Sequence, residues 1–80
     1  MPRFFFDIDD GMNPLLDSFG MVLLDSLAAQ IEATRALLEM AESALPGPNE
    51  LRRDLIIGVR DETGAKLLDV SLTFEIHLPS

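Results

Sequence analysis

Cysteine is missing from this 80-residue chain. Its absence excludes a disulfide framework and any thiolate metal site, and it fits a reducing compartment. Cations are scarce: six Lys and Arg stand against fourteen Asp and Glu, a formal net charge of −8. A chain this acidic repels phosphate backbones, so no unaided nucleic-acid binding is expected. No apolar run approaches the ~20 residues of a membrane span, which excludes a transmembrane helix. Asp7 interrupts the opening after Arg3 and the three Phe at positions 4–6, short of a signal-peptide core. The expectation is a cytoplasmic protein that does not enter a membrane. Glycine is sparse too. Gly11, Gly20, Gly47, Gly58 and Gly64 stand alone in turns or strands, and no phosphate-cradling loop is present.

What remains is a folding sequence. Hydrophobic residues make up 48% of the chain and five Phe are among them, which argues against disorder. The length sets a single domain spanning residues 1–80. A chain of this size buries only ~60–65% of its unfolded surface and is marginal as a lone monomer. The charge is uneven. Residues 1–50 carry nine acids against Arg3 and Arg35, a net of −7, and residues 51–80 carry five acids against four bases, a net of −1. Acidity keeps a small protein soluble, and it also suits a basic partner protein.

The clearest periodicity runs from Leu68 to Leu78. Leu68, Val70, Leu72, Phe74, Ile76 and Leu78 alternate with Asp69, Ser71, Thr73, Glu75 and His77, the pattern of a strand with one buried face. Arg3–Asp9 reads as the first strand, with Phe4, Phe6 and Ile8 on one side. Asp10-Gly11 and Asn13-Pro14 mark a turn, and Leu15-Leu16 fits a short strand. A second turn follows at Asp17–Gly20, with Gly20 left-handed. Met21–Leu24 reads as a short buried strand in preference to an apolar approach to the helix. Asp25 caps a helix over residues 26–45, without the answering Glu of a capping box because Ala28 stands there. Leu27, Ile31, Thr34, Leu38, Ala41 and Leu45 form its expected core stripe, flanked by Leu37, Met40 and Ala44. Glu32, Arg35, Glu39 and Glu42 lie opposite, with Arg35 and Glu39 at pairing distance. Pro46-Gly47-Pro48 ends it. Arg53–Arg60 is a strand joined to the last by the turn Asp61–Gly64. If Arg60 faces Ala65, Arg52 pairs with Thr73 and the last strand overhangs its partner by about five residues. Residues 74–78 then pair with the first strand or with another subunit.

These elements give an α+β fold, ββαββ, a mainly antiparallel sheet with one helix packed on one face and residues 66–78 as its central strand.

The chemistry-bearing residues form no catalytic pattern, and no enzyme and no cofactor are expected. Asp7, Asp9 and Asp10 precede Gly11, but the calcium-loop spacing fails: counting from Asp7, Gly11 falls at the fifth position and Ser18 at the twelfth. Asp69, Ser71 and His77 share one strand face, yet Ser71 and His77 lie ~20 Å apart at 3.3 Å per residue, beyond a hydrolytic triad. A metal set of His77 with Asp7 or Asp9 needs the first and last strands to be neighbours, and the ordinary reading of such a row is the wet face of a sheet. Arg52, Arg53 and Arg60, beside Asp54 and Asp61, read as a charge-balanced edge that discourages strand addition. On the outward sheet face Phe5, Ile56 and Leu67 would make an apolar spot if they converge. With His77 they are the expected interface of a homodimer.

The opening Met1-Pro2-Arg3-Phe4-Phe5-Phe6-Asp7-Ile8, followed by Asp10-Gly11, resembles a family of short alphaproteobacterial proteins of unknown function that open M-P-R-[YF]-F-F. The likeness continues through Asp17-x-x-Gly20, then Asp25 and Ala28-Ala29-x-x-Glu32-Ala33-x-Arg35, and resumes at Val59-x-Asp61-Glu62-x-Gly64. Leu24, where that family has proline, and the long last strand are departures. The resemblance implies the fold and a bacterial cytoplasmic setting, and no activity. In element order the chain is also similar to HicB-type antitoxins: a hairpin, an Asp-x-x-Gly turn, then an Ala-rich helix. The expected function is a non-enzymatic, self-associating protein-interaction module. The alternatives are an acidic, antitoxin-like partner of a basic protein, and a metal-dependent site at Asp7, Asp9 and His77.

Overall fold

A computed structural model describes residues 1–79. Strands β1 (Arg3–Asp9) and β2 (Met21–Val22) precede helix α1 (Ser26–Ser43), and β3 (Arg52–Arg60) and β4 (Lys66–Glu75) follow it. All strand pairs are antiparallel, and the order across the sheet is β2-β1-β3-β4. The ββαββ reading holds.

The sheet's interior differs from expectation. The last strand is not central: β4 is an edge, and β1 and β3 hold the middle. Register explains the error. The loop keeps five residues, with the Asp61 amide donating to the Ala65 carbonyl, and a bulge follows where Arg60 pairs with Lys66 but Val59 pairs with Leu68. Leu67 is the extra residue. The two insertions together shift the ladder by two, so Arg52 faces Glu75 rather than Thr73. The expected overhang therefore disappears. Phe74 pairs with Arg53, while Ile76 and Leu78 lie exposed beyond the strand.

Phe4, Leu55, Ile57 and Val59 are buried on the inner sheet face, against Ala29, Ala33 and Leu37 of α1. Phe6, Ile8, Leu23, Leu68, Val70, Leu72 and Phe74 pack around them half-buried. The helix is rolled away from its expected orientation. Leu27, Ile31 and Leu38, placed in the core by their spacing, are 60%, 51% and 60% exposed. Two stripes of three-four spacing exist on this helix, and the sheet takes the alanine-rich one. Ala29 and Ala33 let the backbones approach closely, where a stripe of Leu and Ile would hold them apart. Arg35 also turns away from Glu39 and pairs with Glu32, at 3.6 Å. The Asp25 cap forms as expected, its Oδ1 accepting from the Ala28 amide at 2.9 Å. Met21–Leu24 shortens to the two residues of β2, which are exposed rather than buried, and Leu15 makes only an isolated bridge to Ile8.

Candidate interaction surface

The outward sheet face is a mesh of paired charges. Arg60, directly opposite Phe5 in the ladder, lays its guanidinium 4.7 Å from the Phe5 ring centre. It donates from Nε to Asp7 Oδ2 at 2.8 Å and from Nη2 to the Asp17 carbonyl at 2.6 Å. At the other end Asp54 accepts from Thr73 at 2.7 Å, and Arg52 bridges Asp54 and Glu75. Lys66 pairs with Asp69 at 2.8 Å. The expected apolar spot does not assemble. Arg60 covers Phe5, Ile56 sits four residues down β3 between Asp9 and Ser71, and Leu67 occupies the bulge.

The aspartates near the start organise the chain itself. Asp9 Oδ1 accepts from the Gly11 amide, and Asp10 Oδ1 from those of Met12 and Asn13. Asp17 accepts from the amides of Phe6, Phe19 and Gly20, and its own amide donates to Asp7. This explains the Asp17-x-x-Gly20 motif. The carboxylate ties the loop against β1, and Gly20, at φ +72°, has Phe4 O only 2.9 Å from where a Cβ would stand. Burial opposes ionisation of Asp7, but the hydrogen bonds from Arg60 and the Asp17 amide outweigh it, and the carboxyl titrates below its ordinary value. Asp17 behaves likewise, with the amides of Gly20, Phe6 and Phe19 overcoming burial. No group of three or more His, Cys, Asp or Glu suited to a metal occurs among the described residues. His77 lies beyond the end of β4, Nε2 3.3 Å from Glu75, with β3 standing between β4 and the β1 carboxylates.

Two features escaped the sequence reading, one because it depends on how the helix is rolled and the other because it depends on strand order. One is the exposed α1 stripe of Leu27, Ile31, Thr34 and Leu38. The other is the free side of β4. The β1 edge is closed by β2, by the Ile8–Leu15 bridge and by Asp17, whereas β4 pairs with β3 alone. The molecule is also spread out. Its accessible surface is 5665 Å², against about 4,800 Å² for a compact chain of its mass. Its radius of gyration is 14.3 Å, against about 12 Å for a compact domain of this length. No helix of the described residues is long and apolar enough to cross a membrane.

A family model described as a domain of unknown function, DUF6894, matches residues 3–73. That span takes in β1, β2, the helix, β3 and all but the last two residues of β4, and the chain belongs to this family. No curated protein and no solved structure matches it.

Proposed function

We propose that this DUF6894 chain is a non-enzymatic interaction module that works by holding another protein chain, first of all a second copy of itself. The surplus of exposed surface carries this reading. It amounts to about 900 Å² over a compact monomer, close to the ~800 Å² that each partner of a standard interface buries. The small core agrees with it: among the described residues seven are buried, while sixteen large hydrophobics stay exposed. Sedimentation across the micromolar range tests the reading. A mass of twice the chain's 8.8 kDa is expected, and a monomer at every concentration overturns it.

The acidic half offers a basic partner less than its charge suggests. Asp7, Asp9, Asp10, Asp17, Asp25 and Glu50 all accept hydrogen bonds within the chain. Of the acids of residues 1–50, the three on α1 carry no such bond among the described residues: Glu32 has only its ion pair with Arg35, and Glu39 and Glu42 have none. An antitoxin-like role therefore ranks second. Its test is co-purification from the native host, where a basic protein released by salt is the supporting result.

A further inference from the structure

We infer that two copies join along their β4 edges, antiparallel and centred on Ser71, so that their α1 stripes meet above the junction. This rests on the self-association reading and gives it a geometry.

The backbone comes first. The Ile76 amide donates to the Leu51 carbonyl at 2.8 Å, extending the β3–β4 ladder. Alternation then turns the amides and carbonyls of Leu68, Val70, Leu72 and Phe74 toward β3. Those of Asp69, Ser71, Thr73 and Glu75 point away from the sheet, and no hydrogen bond to another described segment takes them up. A free strand of this length, with no proline within it, is a template for another strand. On the other side β1 is covered by β2 and the Leu15–Asp17 loop, and the edge strand β2 has two residues against the ten of β4.

Side chains select the register. A two-fold axis at Ser71 sets Val70 opposite Leu72 of the second copy and Leu68 opposite its Phe74. All four are half-buried on the inner face. On the outer face Asp69 meets Thr73. Moving the axis to Leu72 opposes Asp69 to Glu75, two like charges. Moving it to Val70 sets Phe74 against Lys66.

The helix completes the fit. α1 rests about equally on β3 and β4. With strands ~4.8 Å apart, edge pairing places the two helix axes about 10 Å apart, the spacing at which helices pack. α1 connects β2 to β3, strands both antiparallel to β1 and so parallel to each other. The right-handed crossover such connections take puts the Leu27–Leu38 stripe on the β4 side. Burial agrees: Ala28, Glu32 and Ala36 on the other flank are half-buried, and Ile31, Thr34 and Leu38 are exposed.

The native chain has no cysteine, so single replacements report distance cleanly. Ser71→Cys is expected to oxidise to a covalent dimer, since directly opposed hydrogen-bonded residues have Cα atoms about 5.5 Å apart. Asp69→Cys, whose copies would lie ~13 Å apart along the ladder, is expected to stay reduced. Ser71→Pro removes an amide that β3 does not use, and Leu38→Lys charges the stripe. Each is expected to halve the sedimenting mass while leaving the circular dichroism of the monomer intact. Wild-type dimers that persist in both variants, with no preferential oxidation of Ser71→Cys over Asp69→Cys, overturn this geometry and leave self-association standing. A wild-type chain that is monomeric at every concentration overturns both.

Discussion

Arg60 bonds Asp7 from the neighbouring strand at 2.8 Å, one diagonal step from Phe5, its direct partner in the ladder. The pair is three-quarters shielded from solvent, and the same guanidinium holds the Asp17 carbonyl. It therefore fastens β1, β3 and the loop before β2 together. Each carboxyl here titrates below its usual value, so its contribution is complete above the unfolded pKa and is lost as pH falls through the folded one. Stability measured by urea is expected to hold between pH 7 and 5 and to decline below about pH 4. Asp7→Asn should cost about 1–3 kcal/mol at pH 7 and flatten that acid decline. An identical decline in the variant would show that Asp7 does not contribute to it.

Gly20→Ala should be among the most destabilising single changes outside the core. The backbone there is left-handed, and a methyl would meet Phe4 O and the Arg3 side chain, both at 2.9 Å. A loss of about 1–3 kcal/mol is expected. Gly47→Ala is the control, because nothing lies within 4 Å of its Cβ position. Comparable melting temperatures for the two variants would argue that the loop relaxes freely.

The strands and the Asp25 cap were legible in the sequence because each rests on local chemistry. Alternation fixes which face of Leu68–Phe74 is buried, and Asp61 and Gly64 dictate a turn without reference to the rest of the chain. Strand order and register were not legible. One extra loop residue moved the Arg60 pair by one, the Leu67 bulge moved every pair beyond it by two, and no propensity of Leu67 announces a bulge. That shift removed the overhang on which an interface at the end of the last strand had depended. The outer-face residues Phe5 and Ile56 share a side by parity, as expected, but they stand four β3 positions apart in the ladder. Parity settles the face of a residue and says nothing of its neighbours.

Asp25→Ala should cost about 1 kcal/mol, because the side chain satisfies one otherwise free amide at the first turn of α1. Helical circular dichroism near the transition reads the loss. Asp25→Ser should recover most of it, and failure of that recovery would assign the effect to charge rather than to the cap.

The roll of α1 separates two neighbouring leucines by function. Leu37 is 3% exposed against Leu55, Ile57 and Val59 in the core, while Leu38 points to solvent. Leu37→Ala should therefore lose about 2–4 kcal/mol, through transfer and cavity terms together. Leu38→Ala should change the intrinsic stability of a monomer by no more than about 0.5 kcal/mol. Dilution sharpens the contrast. If the stripe is covered in a dimer, the Leu38→Ala penalty grows with protein concentration, since association stabilises the folded chain by mass action. The Leu37→Ala penalty should stay constant over the same range. Denaturation of both variants at two concentrations a hundredfold apart distinguishes the residues. A Leu38→Ala cost equal to that of Leu37→Ala in dilute solution would mean that the helix packs on its leucine stripe after all, as its heptad-like spacing first suggested.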